Sequence, residues 1–221
     1  MRTYMPSPEQ INKLEKAIKD ALIIANNELC VLKQQYKEEN LRYVVMTQIS
    51  EVKCFGVFPN IDEKSDRKLC FQTEYNGGEY KPDIVSLLFT KLGIVKKLNP
   101  LVIELKKRAS IKELEIDLGK AHHYLKDVGD MKFGIAVIIN IGIPEDKKKI
   151  SKEKEKISEE KKMKNYILEL KKVLQKHRTK LKSRSWGQNL LFAWFNPLIE
   201  EPELFWLDRE EKIVLGTNKK K

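Results

Sequence analysis

YKPDIVSLLFTKLGIVKKLNPLVIELKK, residues 80–107, sets two apolar runs against charged residues at their ends. One run opens with Pro82-Asp83, and the other closes on Glu104-Leu105-Lys106. Side chains alternate faces along a strand. In LVIELK, Leu101, Ile103 and Leu105 therefore turn to one side and Val102, Glu104 and Lys106 to the other. The first set is core, and the second puts a carboxylate beside an ammonium at the end of the strand. Pro82 suits the first residue of a strand because it donates no ladder hydrogen bond, and Asp83 follows it directly. If residues 83–89 and 100–106 pair across the loop at 90–99, Asp83 meets Glu104 at one edge of a sheet.

Two neighbouring carboxylates repel, and are tolerated mainly when a cation sits between them. Hard oxygen ligands select Mg²⁺, which commonly takes one or two carboxylates and keeps its waters for the substrate. Such an ion polarises a phosphoryl group and supplies hydroxide near neutral pH. A nearby lysine steadies the attacking water or the charge growing on phosphorus. Cutting a phosphodiester asks for that set. The ExK spacing alone says little, because Glu51-Lys53, Glu159-Lys161, Glu160-Lys162, Glu169-Lys171 and Glu210-Lys212 repeat it. Only the Glu104 copy ends an apolar strand, and Pro82-Asp83 is the sole Pro-Asp in the chain. A surface ion pair between Glu104 and Lys106, worth little energetically, is the plain alternative.

Around this stretch the periodicity predicts an α/β order. Ile11, Leu14, Ile18, Ala21, Leu22, Ala25, Leu29 and Leu32 fall at helical spacing over 9–35, behind a capping sequence SPEQ. A second helix is predicted over 38–52, and CFGVFPNIDEKSDRK is a loop or irregular strand. LCFQTEYNGGEYKPDIVSLLF reads as two strands turning at Asn76-Gly77-Gly78. A third strand at NPLVIELKK leads into an amphipathic helix over 111–127. FGIAVIINIGI has the almost unbroken apolar pattern of a strand covered on both faces. Residues 146–183 form one or two charged helices, and NLLFAWFNP and ELFWLDREEKIVLG two last strands. The expectation is one domain over 1–221, a central mixed β-sheet flanked by helices. Its core spans about 38–140, a basic helical insertion about 145–183, and C-terminal strands about 186–216.

PD at 82–83 and ELK at 104–106, in this element order, resemble the PD-(D/E)xK nuclease superfamily, with its restriction-endonuclease-like core. The resemblance covers about residues 38–140. It implies that Asp83 and Glu104 bind Mg²⁺, that the Leu105 carbonyl adds a ligand, and that Lys106 is catalytic, with Mn²⁺ as a substitute for Mg²⁺. It further implies a Glu from the helix before the hairpin, Glu39 or else Glu38, and Glu74 is another acid able to border the site. An ordinary helix N-terminal Glu, favoured by the dipole, accounts for Glu39 as well. On the helix after ExK, where many members carry Gln and Tyr, the chain reads DLGKAHHYLKD, with Tyr124 present and Lys120, His122 and His123 near the Gln position.

Composition agrees with a polyanionic partner. The 221 residues carry 43 Lys/Arg against 32 Asp/Glu, a formal +11, and such a balance favours nucleic acid or an anionic surface. Lys107, Arg108 and Lys120 are the candidate grips on a nucleic-acid backbone, and residues 145–182 add a net +8 that also suits a solvated helical face. Trp186, Trp194, Phe195, Phe205 and Trp206 can stack on unpaired bases or pack in the core. No apolar run spans a bilayer, the N-terminus has no signal-like core, and Cys30, Cys54 and Cys70 have no CxxC pairing. The expectation is an intracellular, cytoplasmic DNA endonuclease without a membrane partner. It is expected to be a homodimer, since two cuts or a two-fold substrate need two sites. A catalytically silent nucleic-acid-binding or assembly protein of the same fold, or an RNA nuclease, is the alternative.

Overall fold

A computed structural model of the chain describes residues 7–32, 35–52, 67–73, 81–90, 93–94, 99–125, 133–144, 152–182, 189–196, 201–208 and 213. They form four helices, α1 (Pro8–Leu32), α2 (Glu38–Ser50), α3 (Ile111–Leu125) and α4 (Lys152–Lys182). The strands are β1 (Arg67–Thr73), β2 (Ile84–Thr90), β3 (Gly93–Ile94), β4 (Asn99–Lys107), β5 (Phe133–Ile141), β6 (Asn189–Phe195) and β7 (Glu203–Trp206). The fold is α/β, and its open mixed sheet runs β1-β2-β4-β5-β6-β7, with the two-residue β3 paired to β2 off that path. β4, β5 and β6 are parallel, while β1, β2 and β7 join antiparallel.

The helices begin where side chains can satisfy their first backbone N–H groups. Ser7 Oγ accepts from Gln10 N–H at 3.2 Å while Gln10 Oε1 accepts from Ser7 N–H at 2.8 Å. Ser110 and Glu113 repeat this reciprocal box at the head of α3. α1 then buries Leu14, Ile18, Ala21, Leu22, Ala25 and Leu29, the stripe expected from its spacing.

Alternation along the strands divides the core into two layers. Leu191 and Trp206 are register partners, and Trp206 Nε1 donates to Glu15 of α1. Glu104, Asn140 and Trp194 belong to the opposite alternation, where Tyr124 of α3 and Tyr166 of α4 meet them. α1 therefore covers one face, and α3 and α4 cover the other. β5 is buried throughout, as a largely apolar run between two helical layers must be. The aromatic residues of the C-terminal strands are core: Trp194, Phe195, Phe205 and Trp206 are all buried, which removes them as base-stacking surfaces. Trp186 lies outside the described residues.

Three other expectations need correction or fall outside the structure. The last predicted strand is short, ending at Trp206 with a turn at Leu207–Asp208, whose Leu207 N–H bonds Leu190 O at 2.8 Å. α1 and α2 stop before the predicted ends, at Leu32 and Ser50. Glu74 and the Asn76-Gly77-Gly78 turn lie outside the described residues, although the Thr73↔Ile84 register of β1 with β2 is that of a hairpin. No helix among the described residues is long and apolar enough to cross a membrane.

One polar residue interrupts β5, and it organises the C-terminal ends of the parallel strands. Asn140 Oδ1 accepts from Ala109 N–H at 3.1 Å, and its Nδ2 donates to Gly142 O and Tyr166 Oη. Tyr166 in turn donates to Ala109 O at 2.9 Å, and Trp194 Nε1 donates to Gly142 O at 3.2 Å. The network fixes the exit of β4, where Arg108 adopts φ 58°, against the exit of β5, where Gly142 has φ 80°. Removing one member of a buried network strands its partners. Asn140→Ala is expected to destabilise the fold by about 3 kcal/mol, read as a lower urea midpoint with an unchanged m-value.

Candidate functional site

β4 is longer than its antiparallel neighbour. The β2–β4 register runs Ser86↔Leu101, Val85↔Val102 and Ile84↔Ile103, and stops there. β4 continues to Lys107 beside β5 alone, so its other edge carries unpaired backbone groups that need partners. Carboxylates supply them. Asp83, the residue before β2, accepts Leu105 N–H on Oδ2 at 2.7 Å. The Lys107 N–H, two residues on and on the same edge, faces the Glu38 carboxylate at the start of α2. A strand residue directs its N–H and C=O to the same side. The Leu105 carbonyl therefore opens onto the edge that holds Asp83.

Glu104 points from β4 toward α3 and is 2% exposed. Its Oε1 accepts from Tyr124 Oη at 2.7 Å. Burial dominates its ionisation and pushes the carboxyl up to about 7, against the Tyr124 hydrogen bond and the Lys120 charge, while Asp83 and Asp117 push the same way as burial. Tyr124 is raised by burial and by the Glu104 charge, so it stays a hydrogen-bond donor. Glu38 is also raised, chiefly by burial, with Lys106 and Arg42 opposing.

Lys106, on the same face as Glu104, lies 3.7 Å from Asp117 Oδ2 and 4.0 Å from Glu38 Oε1. Lys120 Nζ bonds Asp117 Oδ1 at 2.7 Å; burial lowers its pKa, but that hydrogen bond and the charges of Glu104, Asp117 and Asp83 raise it on balance. Asp117, Lys120 and Tyr124 sit at i, i+3 and i+7 on α3, one face of a helix. Arg42 of α2 reaches Asp83 Oδ1 at 3.2 Å. Four acids and three cations thus meet at the C-terminal end of β4, the end of a parallel sheet where open α/β folds place ligands.

Asp83, Glu104, Lys106 and Lys120 are therefore brought together. Of the two α2 acids, Glu38 is half-buried against Lys106, whereas Glu39, the first choice from sequence, is exposed. The helix turns its first residue, and not its second, toward β4. Lys107 is spent within the chain, its ammonium donating to the Tyr36 carbonyl. Arg108 is half-buried beside Gly142, at the strand exit. Sequence reading missed Arg42 and Asp117. Asp117 left a trace, a charged residue inside the apolar stripe Leu114, Leu118, Ala121 and Leu125. Arg42 left none, since an arginine beside the buried Leu41 reads as surface.

Among the described residues no group of three or more His, Cys, Asp or Glu side chains is placed to hold a metal ion. The donor set on offer is smaller: two carboxylates, Asp83 and Glu104, with the carbonyl of Leu105, the residue after Glu104. All are hard oxygens, and such a set suits Mg²⁺, which retains several waters. Comparison with known proteins finds no matching family model, no matching curated protein and no matching solved structure. The chemistry rests on the geometry of the site.

The raised pKa of Glu104 has a testable sign. With its folded pKa above the ordinary 4.5, the native state holds the proton more tightly than the unfolded chain. Stability from this group is full below about 4.5 and is lost as pH rises through about 7. In EDTA, the wild type is expected to lose up to roughly 3 kcal/mol over that window relative to Glu104→Gln, measured by urea unfolding at pH 5, 6, 7 and 8. Parallel pH profiles for the two proteins would show that Glu104 titrates normally.

Proposed function

We propose that the chain is a metal-dependent nuclease of the PD-(D/E)xK type, with a restriction-endonuclease-like core, that hydrolyses phosphodiester bonds in DNA. One observation carries the reading: the 2.7 Å bond from Leu105 N–H to Asp83. It joins the Pro-Asp and the Glu-x-Lys segments at a single strand end, with Glu104 and Lys106 side by side on one face. Asp83, Glu104 and the Leu105 carbonyl are the residues that would hold Mg²⁺ or Mn²⁺. When bound, the ion supplies charge to the phosphoryl oxygens and lowers the pKa of water.

The chain's own groups do the remaining work. Lys106 orients the attacking water or stabilises the charge that develops on the phosphoryl group. Glu38 holds that lysine from the α2 side. Tyr124 fixes one Glu104 oxygen, which leaves the other for the ion. Arg42 and the Leu105 N–H hold Asp83 in place. Lysines along α4 meet the nucleic-acid backbone, whose binding is mostly phosphate contact and falls steeply with salt. The proposal includes a homodimer, so that both strands of a duplex are cut.

A second reading has one observation in its favour. Both Asp83 oxygens already have partners within the chain, which is what a binding protein that keeps the fold without the chemistry would show. Incubating supercoiled, linear, branched and single-stranded DNA, and RNA, with Mg²⁺ or Mn²⁺ separates these readings. Cleavage is expected for wild type, with a loss of at least about 100-fold in Asp83→Ala and in Lys106→Ala. Retained DNA binding with no cleavage on any substrate would favour the silent protein, and cleavage of RNA alone an RNA nuclease. Cleavage that survives both substitutions would sink the site assignment.

A further inference from the structure

Asp117 stands between two lysines that come from different elements. Its Oδ1 takes Lys120 at 2.7 Å, its Oδ2 lies 3.7 Å from Lys106, and the residue is 1% exposed. Oδ2 is buried without a hydrogen-bond partner among the described residues. A carboxylate so placed is costly unless compensated, and the two ammoniums are the compensation on offer. They also rule against a cation at Asp117 itself, since a metal ion there would meet two positive charges.

Lys120 faces a choice of anions. Asp83 and Glu104 lie within electrostatic reach of it, and a lysine paired directly to Glu104 would occupy the oxygen that Tyr124 leaves for a metal. The pairings run otherwise: Lys120 bonds Asp117, and Lys106 lies between Asp117 and Glu38. We propose that Asp117 is a positioning residue that holds Lys106 and Lys120 beside the site while keeping Lys120 off Glu104, so that the Glu104 oxygen not bonded by Tyr124 remains open to a divalent cation. This rests on the nuclease reading above. An ordinary i, i+3 helix pair does not account for it, because Asp117 is buried and also draws a lysine from β4.

Mn²⁺ binding followed by electron paramagnetic resonance tests the proposal without recourse to cleavage. In Asp117→Asn the lysines lose their anchor, and Lys120 falls onto Glu104. Mn²⁺ affinity is then expected to drop about 10- to 100-fold, the range seen when groups behind metal ligands are removed. The charge-balanced double variant D117N/K120M removes one competitor, and is expected to recover affinity to within about threefold of wild type. A merely structural Asp117 would give no such recovery. Cleavage at saturating Mg²⁺ is expected to fall about tenfold in Asp117→Asn and to return in part in D117N/K120M.

Wild-type Mn²⁺ affinity in Asp117→Asn overturns the proposal. So does a double variant at least tenfold weaker than wild type, a comparison that stands even if Asp117→Asn alone does not fold. If Asp83→Ala loses Mn²⁺ while Asp117→Asn keeps it, only this inference fails. If wild type binds no Mn²⁺ at all, the nuclease reading fails with it.

Discussion

The arrangement of this molecule turns on a strand that outlasts its partner. β2 leaves β4 at Ile103, and the N–H groups of Leu105 and Lys107 are then exposed at an edge inside the fold. An unpaired buried N–H costs about as much as a lost hydrogen bond, so something must accept it. Asp83 and Glu38 do. Anchoring two carboxylates to the backbone of β4 gives the site its rigidity, because a strand inside a sheet offers fixed donors. It also decides which acids belong to the site.

Charge has to balance around that edge. Asp83, Glu38, Glu104 and Asp117 are gathered within reach of Arg42, Lys106 and Lys120. Full ionisation leaves one negative charge in excess, and the strain shows at the buried Glu104, whose carboxyl is pushed up to about 7. A divalent ion at Asp83 and Glu104 would relieve this in the direction that opposite charge always does.

Behind the site, the support is apolar on one layer and polar on the other. α1 packs an apolar stripe, where non-directional burial suffices. On the opposite face, Asn140, Tyr166 and Trp194 tie α4 to the exits of β4 and β5. His122 and His177 bring α3 and α4 together with a 2.8 Å contact between ring nitrogens, and burial pushes His177 down to about 4. Such a pair requires at least one neutral ring, in keeping with that direction. α4 is thus more than a charged arm: its buried side closes the core against α3 and the sheet.

The α/β class, the helices and strands and the face on which Glu104 and Lys106 lie were legible in the sequence, because each depends on periodicity within a few residues. The pairing of Pro82-Asp83 with the Glu-x-Lys strand was legible too, since a short connection between apolar runs restricts how they meet. Tertiary structure alone decided the rest. Glu38 lies nearer the site than Glu39 because the packing of α2 against β4 sets which side of its first turn faces the open edge. Arg42 and Asp117 joined the site because long-range packing put α2 and α3 on its two sides. The aromatic residues near the C-terminus went to the core because β6 and β7 close the sheet there. Local pattern fixes which way a side chain leaves its own element, and only the packing of elements determines what it meets.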